Sequence, residues 1–153
     1  MSVSSSLGPL NHLVDVALAD ARREYPRESC GLVVAAAGEQ RYVPCRKQAE
    51  GQAHFIIHPE GYAGAEAEGE VLAVVHSHPN AAPEPSETDR VSVERWGLPW
   101  LIVNVPLGYW RLWHPTGYQP LLVGRPFSHG VLDCFSLIRD YFSSTCGGGE
   151  RGV

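Results

Sequence analysis

The apolar run Val71-Leu72-Ala73-Val74-Val75 leads directly into His76-Ser77-His78-Pro79, and seven residues later comes Ser86-Glu87-Thr88-Asp89. The run reads as a buried strand, so the fold must deliver two imidazoles to the end of one. Successive side chains on a strand alternate faces, which points His76 and His78 one way and Ser77 the other. Two histidines converging like this can grip one metal ion. With Asp89 as a third ligand the fourth position stays open to water, the arrangement of a catalytic rather than a structural zinc site.

Blander readings exist for each half. Strand-end histidines are often ordinary hydrogen-bonded polar groups, so a bare His-x-His is weak. Barrels of the amidohydrolase type carry one on their first strand but need about 250 residues, against 153 here. A two-His-one-carboxylate iron centre uses the same ligand types and stays open on ligand identity. Ser86-x-x-Asp89 also resembles a helix capping box, although that motif prefers Glu or Gln at the later position. Cap and ligand are compatible, because residues three apart on a helix share a face.

At 153 residues, 44% hydrophobic and 19% charged, the chain suits one globular core with a mixed α/β sheet. A net charge of -5 without any Lys/Arg cluster argues against a nucleic-acid surface. No apolar run reaches the length of a membrane span. The first nine residues lack the basic and apolar regions of a secretory signal, so cytoplasmic folding is the expectation. Cys30, Cys45, Cys134 and Cys146 form no Cys-x-x-Cys pair and signal no disulfide framework.

Leu10, Leu13, Val14, Ala17, Leu18 and Ala21 predict an amphipathic helix over residues 10–24, ended by Pro26. Strands are expected over 30–37 and 40–45 about a turn at Gly38, over 54–57 with Pro59 as its stop, and over 71–77. Residues 60–68 form a short helix, and another begins near Ser86 after a loop stiffened by Pro79, Pro83 and Pro85. Strands 100–105 and 109–113 close around Pro106-Leu107-Gly108. The connections are mostly hairpin-sized, which favours a mixed sheet with packed helices over a regular βαβ array. Pro120–Pro126 reads as a linker and Val131–Phe142 as a further amphipathic helix. The boundary falls near residue 120.

His76-x-His78, seven residues, Ser86-x-x-Asp89 matches the signature of the JAMM (MPN-plus) metalloproteases. Glu28-Ser29-Cys30-Gly31 resembles that family's Glu-x-Cys-Gly segment at the end of the first helix. Phe55-x-Ile57-x-Pro59-Glu60, Pro85-Ser86 and Gly97-Leu98-Pro99-Trp100 resemble its bacterial and phage branch. The likeness covers roughly residues 10–115 and implies a cytidine-deaminase-like α+β architecture in a domain over 1–119. It implies Zn2+ on His76, His78 and Asp89, Glu28 as general base turned general acid, and Ser86 as hydrogen-bond donor to the oxyanion. The reaction would be hydrolysis of a peptide or isopeptide bond by activated water. Cys30 reads as a small buried side chain, and His12, His54, His58 and His114 as surface or packing residues.

Asp133-Cys134-x-x-Leu137-Ile138-Arg139-Asp140-Tyr141 resembles the opening helix of NlpC-type cysteine peptidases, with Cys134 in the nucleophile's place. No histidine follows Cys134, so the thiol lacks its base and cysteine peptidase activity is not expected. A JAMM domain followed by an NlpC-type start resembles tail-assembly proteins of long-tailed phages, here cut short, with 120–153 an incomplete and poorly ordered second unit. The implied substrate is a virion tail protein or a peptidoglycan cross-peptide, and the setting cytoplasmic or virion-associated. Two alternatives stand beside the metallopeptidase: an inert MPN scaffold docking a partner, and a peptidase fragment centred on Cys134.

Overall fold

The computed structural model describes residues 8–45, 57–125, 127 and 131–146. Helix α1 (Leu10–Glu24) buries Leu13, Val14, Ala17, Leu18 and Ala21, the face its spacing predicts, and ends on Arg22 and Arg23, which complement the helix dipole. Strand β1 (Cys30–Ala36) turns through Ala37 and Gly38 into β2 (Glu39–Cys45). Both turn residues have positive φ (51° and 81°), as a two-residue hairpin turn requires. There follow α2 (Pro59–Glu68), β3 (Glu70–Pro79), α3 (Glu87–Trp96), β4 (Trp100–Val105), β5 (Trp110–Trp113) and α4 (Cys134–Cys146).

The sheet order is β2-β1-β3-β4-β5. Strand β1 is antiparallel to β2 and β3, β3 is parallel to β4 across the α3 crossover, and β4 is antiparallel to β5. This is the mixed sheet with packed helices expected from the sequence. Strand β3 lies at its centre. Pro44 in β2 has no N–H to give a further strand, which suits an edge position.

Helices cover both faces. Val33, Ala73, Val75, Leu101, Val103 and Val105 pack with α1. Leu32, Val34, Val74 and Trp100 pack with Ala65 of α2 and Val93 of α3 on the other face. Burying such a side chain contributes roughly 1.5–3 kcal/mol, so the apolar part of β3 dictates where its polar end sits. Continuing the alternation beyond Val74 and Val75 puts His76 and His78 on the α2/α3 face and Ser77 on the α1 face.

Several details depart from expectation. Pro59 opens α2 at its first turn, behind the N-cap His58, where a missing N–H costs nothing. Of the strand expected over 54–57 only Ile57 is described, and it is buried; His54, Phe55, Ile56 and the loop 46–53 lie outside the described residues. Strand β3 runs to Pro79 because its parallel pairing continues to Val105. The C-terminal helix starts at Cys134, not Val131. Asp133 caps it by accepting from Ser136 N at 2.9 Å, while Val131 and Leu132 precede it and bury against Val91. His129 and residues 147–153 lie outside the described residues.

Asp20 is only 7% exposed although it sits on the apolar face of α1. Its Oδ2 accepts from the Tyr42 hydroxyl at 2.6 Å and its Oδ1 from Arg23 at 2.8 Å. Burial, reinforced by Asp20, pushes the Tyr42 phenol well above its ordinary range, so it stays a donor. The ring crosses Gly31, where a Cβ would fall inside it. Glycine is therefore needed for β2 to reach over β1 to α1. Gly31→Val should cost about 1–3 kcal/mol in urea denaturation; an unchanged midpoint would mean that the ring moves aside freely.

Candidate metal centre

The central strand brings His76 and His78 to its C-terminal end, 1% and about one-eighth exposed respectively, the latter by its side chain at 13%. The N-terminus of α3 brings Asp89, 4% exposed, against them. His76 Nε2 lies 3.6 Å from Asp89 Oδ1 and His78 Nε2 lies 3.3 Å from Oδ2. One ligand atom from each of the three falls within 4.8 Å of the others. Two atoms bound to zinc at 2.0–2.2 Å and a tetrahedral angle stand roughly 3.3–3.6 Å apart. The donor set and its spacing therefore fit a zinc ion. The rings are fixed by packing: His76 stands edge-to-face on His78 (centroids 4.7 Å apart) and on Trp100 (5.4 Å).

Ser86 and Asp89 form a full capping box. Ser86 Oγ accepts from Asp89 N at 3.1 Å, and Asp89 Oδ2 accepts from Ser86 N at 2.9 Å. The same carboxylate thus caps its helix and faces both imidazoles. The cap uses a lone pair of Ser86 Oγ, so the hydroxyl hydrogen remains for another acceptor.

Burial alone would raise the Asp89 pKa, but the bond to His78, the charge of His76 and the bonds from Ser86 hold it down at about 2. Burial pulls His78 down; Asp89, the Ala82 carbonyl and the charge of Glu28 outweigh it, and the net shift is upward. Glu28 is half-buried in the α1–β1 connection, and its negative charge adds to the upward shift of His78.

That connection is tied down by Ser77, whose role was not legible in the motif. Fully buried on the α1 face, Ser77 accepts from Ser29 N at 2.8 Å through Oγ and donates its own N–H to Ser29 O at 3.1 Å. Tyr25 at the start of the same connection donates to Asn80 Oδ1 at 3.0 Å, just past β3. Asn104, in β4 opposite His78, was read as an ordinary strand position. It is a buried amide donating to Ala81 O, and the polar break in the run 100–105 was its signal.

The remaining candidates lie apart. His12 and His114 are exposed, and His58 caps α2 by accepting from Glu60 N at 3.3 Å. Cys30 is 2% exposed and bonds the Cys45 carbonyl, as befits a small core residue. Cys30, Cys45 and Cys134 are all free thiols. Cys134 opens α4, exposed, and is not among the residues gathered at the centre.

This geometry agrees with the comparisons. The family described as prokaryotic homologs of the JAB domain matches residues 10–115, and the chain belongs to it. It is 47% identical over 135 residues to Tail tip assembly protein K of Escherichia phage N15, covering 88% of this chain and 55% of that protein. It is 42% identical over 84 residues to Tail tip assembly protein K of Escherichia phage lambda, covering 55% and 40%. The chain thus spans about half the length of these relatives or less. A solution structure of a Desulfitobacterium hafniense protein shares the fold, with a TM-score of 0.52, 24% identity, and coverage of 67% of this chain and 77% of that one. The match ends at residue 115, so α4 and Cys134 lie beyond it.

The charges make stability pH-dependent in the metal-free protein. Asp89, depressed from 3.8 to about 2, contributes stability that is present above 3.8 and lost as pH falls through about 2. His78, raised from 6.5, contributes stability that is full below 6.5 and lost as pH rises through its folded value. The stability difference between wild type and Asp89→Asn, followed in urea from about pH 5 to pH 9, should therefore shrink as pH rises. A difference that stays constant across that range would show that His78 and Asp89 are not coupled.

Proposed function

We infer that the chain is a zinc-dependent hydrolase that cleaves a peptide or isopeptide bond with an activated water, working in phage tail assembly. The observation that carries this reading is the approach of His76 Nε2, His78 Nε2 and the Asp89 carboxylate within one cluster. His76, His78 and Asp89 would hold the zinc, which would supply a water acidified toward a pKa of about 7 and a Lewis acid for the carbonyl. Glu28 takes the proton of the attacking water and returns it to the leaving amine. Ser86 donates its hydroxyl hydrogen to the oxyanion while its lone pair goes on capping α3. Asp89 stays ionised across the working range, so the cluster keeps its negative member.

The tail-assembly setting is supported by the two phage relatives named as tail tip assembly proteins. The substrate class that fits is an amide in a tail protein or in a peptidoglycan cross-peptide. Residues 1–119 are the hydrolase unit in this reading and 120–153 a following segment. Cys134 opens α4, beyond the residues that the family matches, and it has no part in this reaction. None of the described helices is long and apolar enough to cross a membrane.

Purified protein should take up about one zinc per chain, as read by elemental analysis, and lose it in His78→Ala and Asp89→Ala. Glu28→Gln should keep the zinc and lose about 10²–10⁴-fold in hydrolysis of a candidate tail protein or muropeptide. Ser86→Ala should lose about 10²–10³-fold. Hydrolysis that survives Glu28→Gln would remove Glu28 from the chemistry, and hydrolysis indifferent to chelators would remove the metal.

A further inference from the structure

We propose that Asn104, together with Trp113, is a positioning residue for His78: the pair holds the loop after β3 so that the Ala82 carbonyl captures Nδ1 and aims Nε2 at the metal. The proposal rests on the metal reading above and names what orients one of its ligands.

Three successive carbonyl oxygens of this loop are each bound by a side chain from a different strand. Ala81 O accepts from Asn104 Nδ2 of β4 at 2.6 Å. Ala82 O lies 3.0 Å from His78 Nδ1 of β3. Pro83 O accepts from Trp113 Nε1 of β5 at 3.1 Å. A carbonyl can only accept, so His78 bonded in this way carries its hydrogen on Nδ1. Its Nε2 then presents a lone pair on the side of Asp89 Oδ2, 3.3 Å away.

The loop between Pro79 and Ser86 belongs to no strand or helix, and Ala81 and Ala82 are exposed. Asn80 and Glu84 are exposed as well, while Pro83 and Pro85 are half-buried. Side-chain bonds to the loop's backbone hold it in place, with Asn80 N donating to Val105 O at 2.8 Å at its start.

Asn104 is conspicuous because every other residue of β4 is buried and apolar. It stands in register with His78, 4% exposed, and its Oδ1 has no hydrogen-bond partner among the described residues. An aliphatic side chain would sit there without burying an amide. What the amide contributes is its bond to Ala81 O, one residue before the carbonyl that captures His78.

Asn104→Leu and Trp113→Phe each remove the donor and keep most of the volume. Two readouts apply to the whole chain: the dissociation constant for Zn2+ alone, by competition with a chromophoric chelator, and the ring-nitrogen shifts of His78 by NMR in the metal-free protein with the ring neutral. Wild type should show a clear Nδ1–H population, held by the Ala82 carbonyl against the pull of the Asp89 carboxylate on Nε2–H. Both variants should shift toward the Nε2–H tautomer and bind zinc about tenfold or more weakly. Folded variants with the wild-type tautomer and the wild-type zinc affinity overturn the proposal and leave the metal reading intact. If Asn104→Leu fails to fold, Trp113→Phe, altered at a half-buried position on an edge strand, decides. A wild-type chain that takes up no zinc, with a tautomer that still shifts in the variants, overturns the metal reading and upholds the positioning.

Discussion

Everything in this molecule depends on one strand being covered on both sides. Val74 must meet Leu32, Val34 and Trp100, and Val75 must meet Val33, Leu101 and Val103. A slip of one residue would exchange the two faces along the whole of β3. With the register held by that packing, the polar continuation is committed: both imidazoles face α3 and Ser77 faces α1. The cluster of His76, His78 and Asp89 is the end of a packing problem solved several residues earlier.

Asp89 serves two ends with one carboxylate. As N3 of a capping box it closes the backbone of α3, and as the third member of the cluster it faces both histidines. Its helix therefore cannot shift without moving that carboxylate away from the two imidazoles. Ser77 does the corresponding work on the opposite face, binding Ser29 by two hydrogen bonds and so fixing the connection that carries Glu28. A motif of alternating histidines thus contains its own tether between them.

Much of this was legible in the chain itself. The helix over 10–24, the hairpin about Gly38, the strand ending in His-x-His and the helix opened by Ser86 all follow from local periodicity and caps, and the structure has them. The three ligand candidates were legible because their residue types and spacing suit one cation. What stayed hidden was long-range. Asn104 looked like a strand residue, since its partner Ala81 lies 23 positions away. The buried Asp20 had no visible reason until Tyr42, 22 residues on, reached across Gly31 to it. Pro59 takes the first turn of α2, one residue ahead of the helix expected from residue 60, because its fixed φ and missing N–H suit that position.

The sequence by itself determined which groups could meet, through alternation along β3 and the three-residue interval between Ser86 and Asp89. These are local rules of backbone geometry and hold wherever the segment lies. Only the tertiary structure decided that they do meet, and that the loop 80–85 is held by β4 and β5. Those relations join residues far apart in the chain, and they arise from burying two apolar faces of one sheet, which no short stretch encodes.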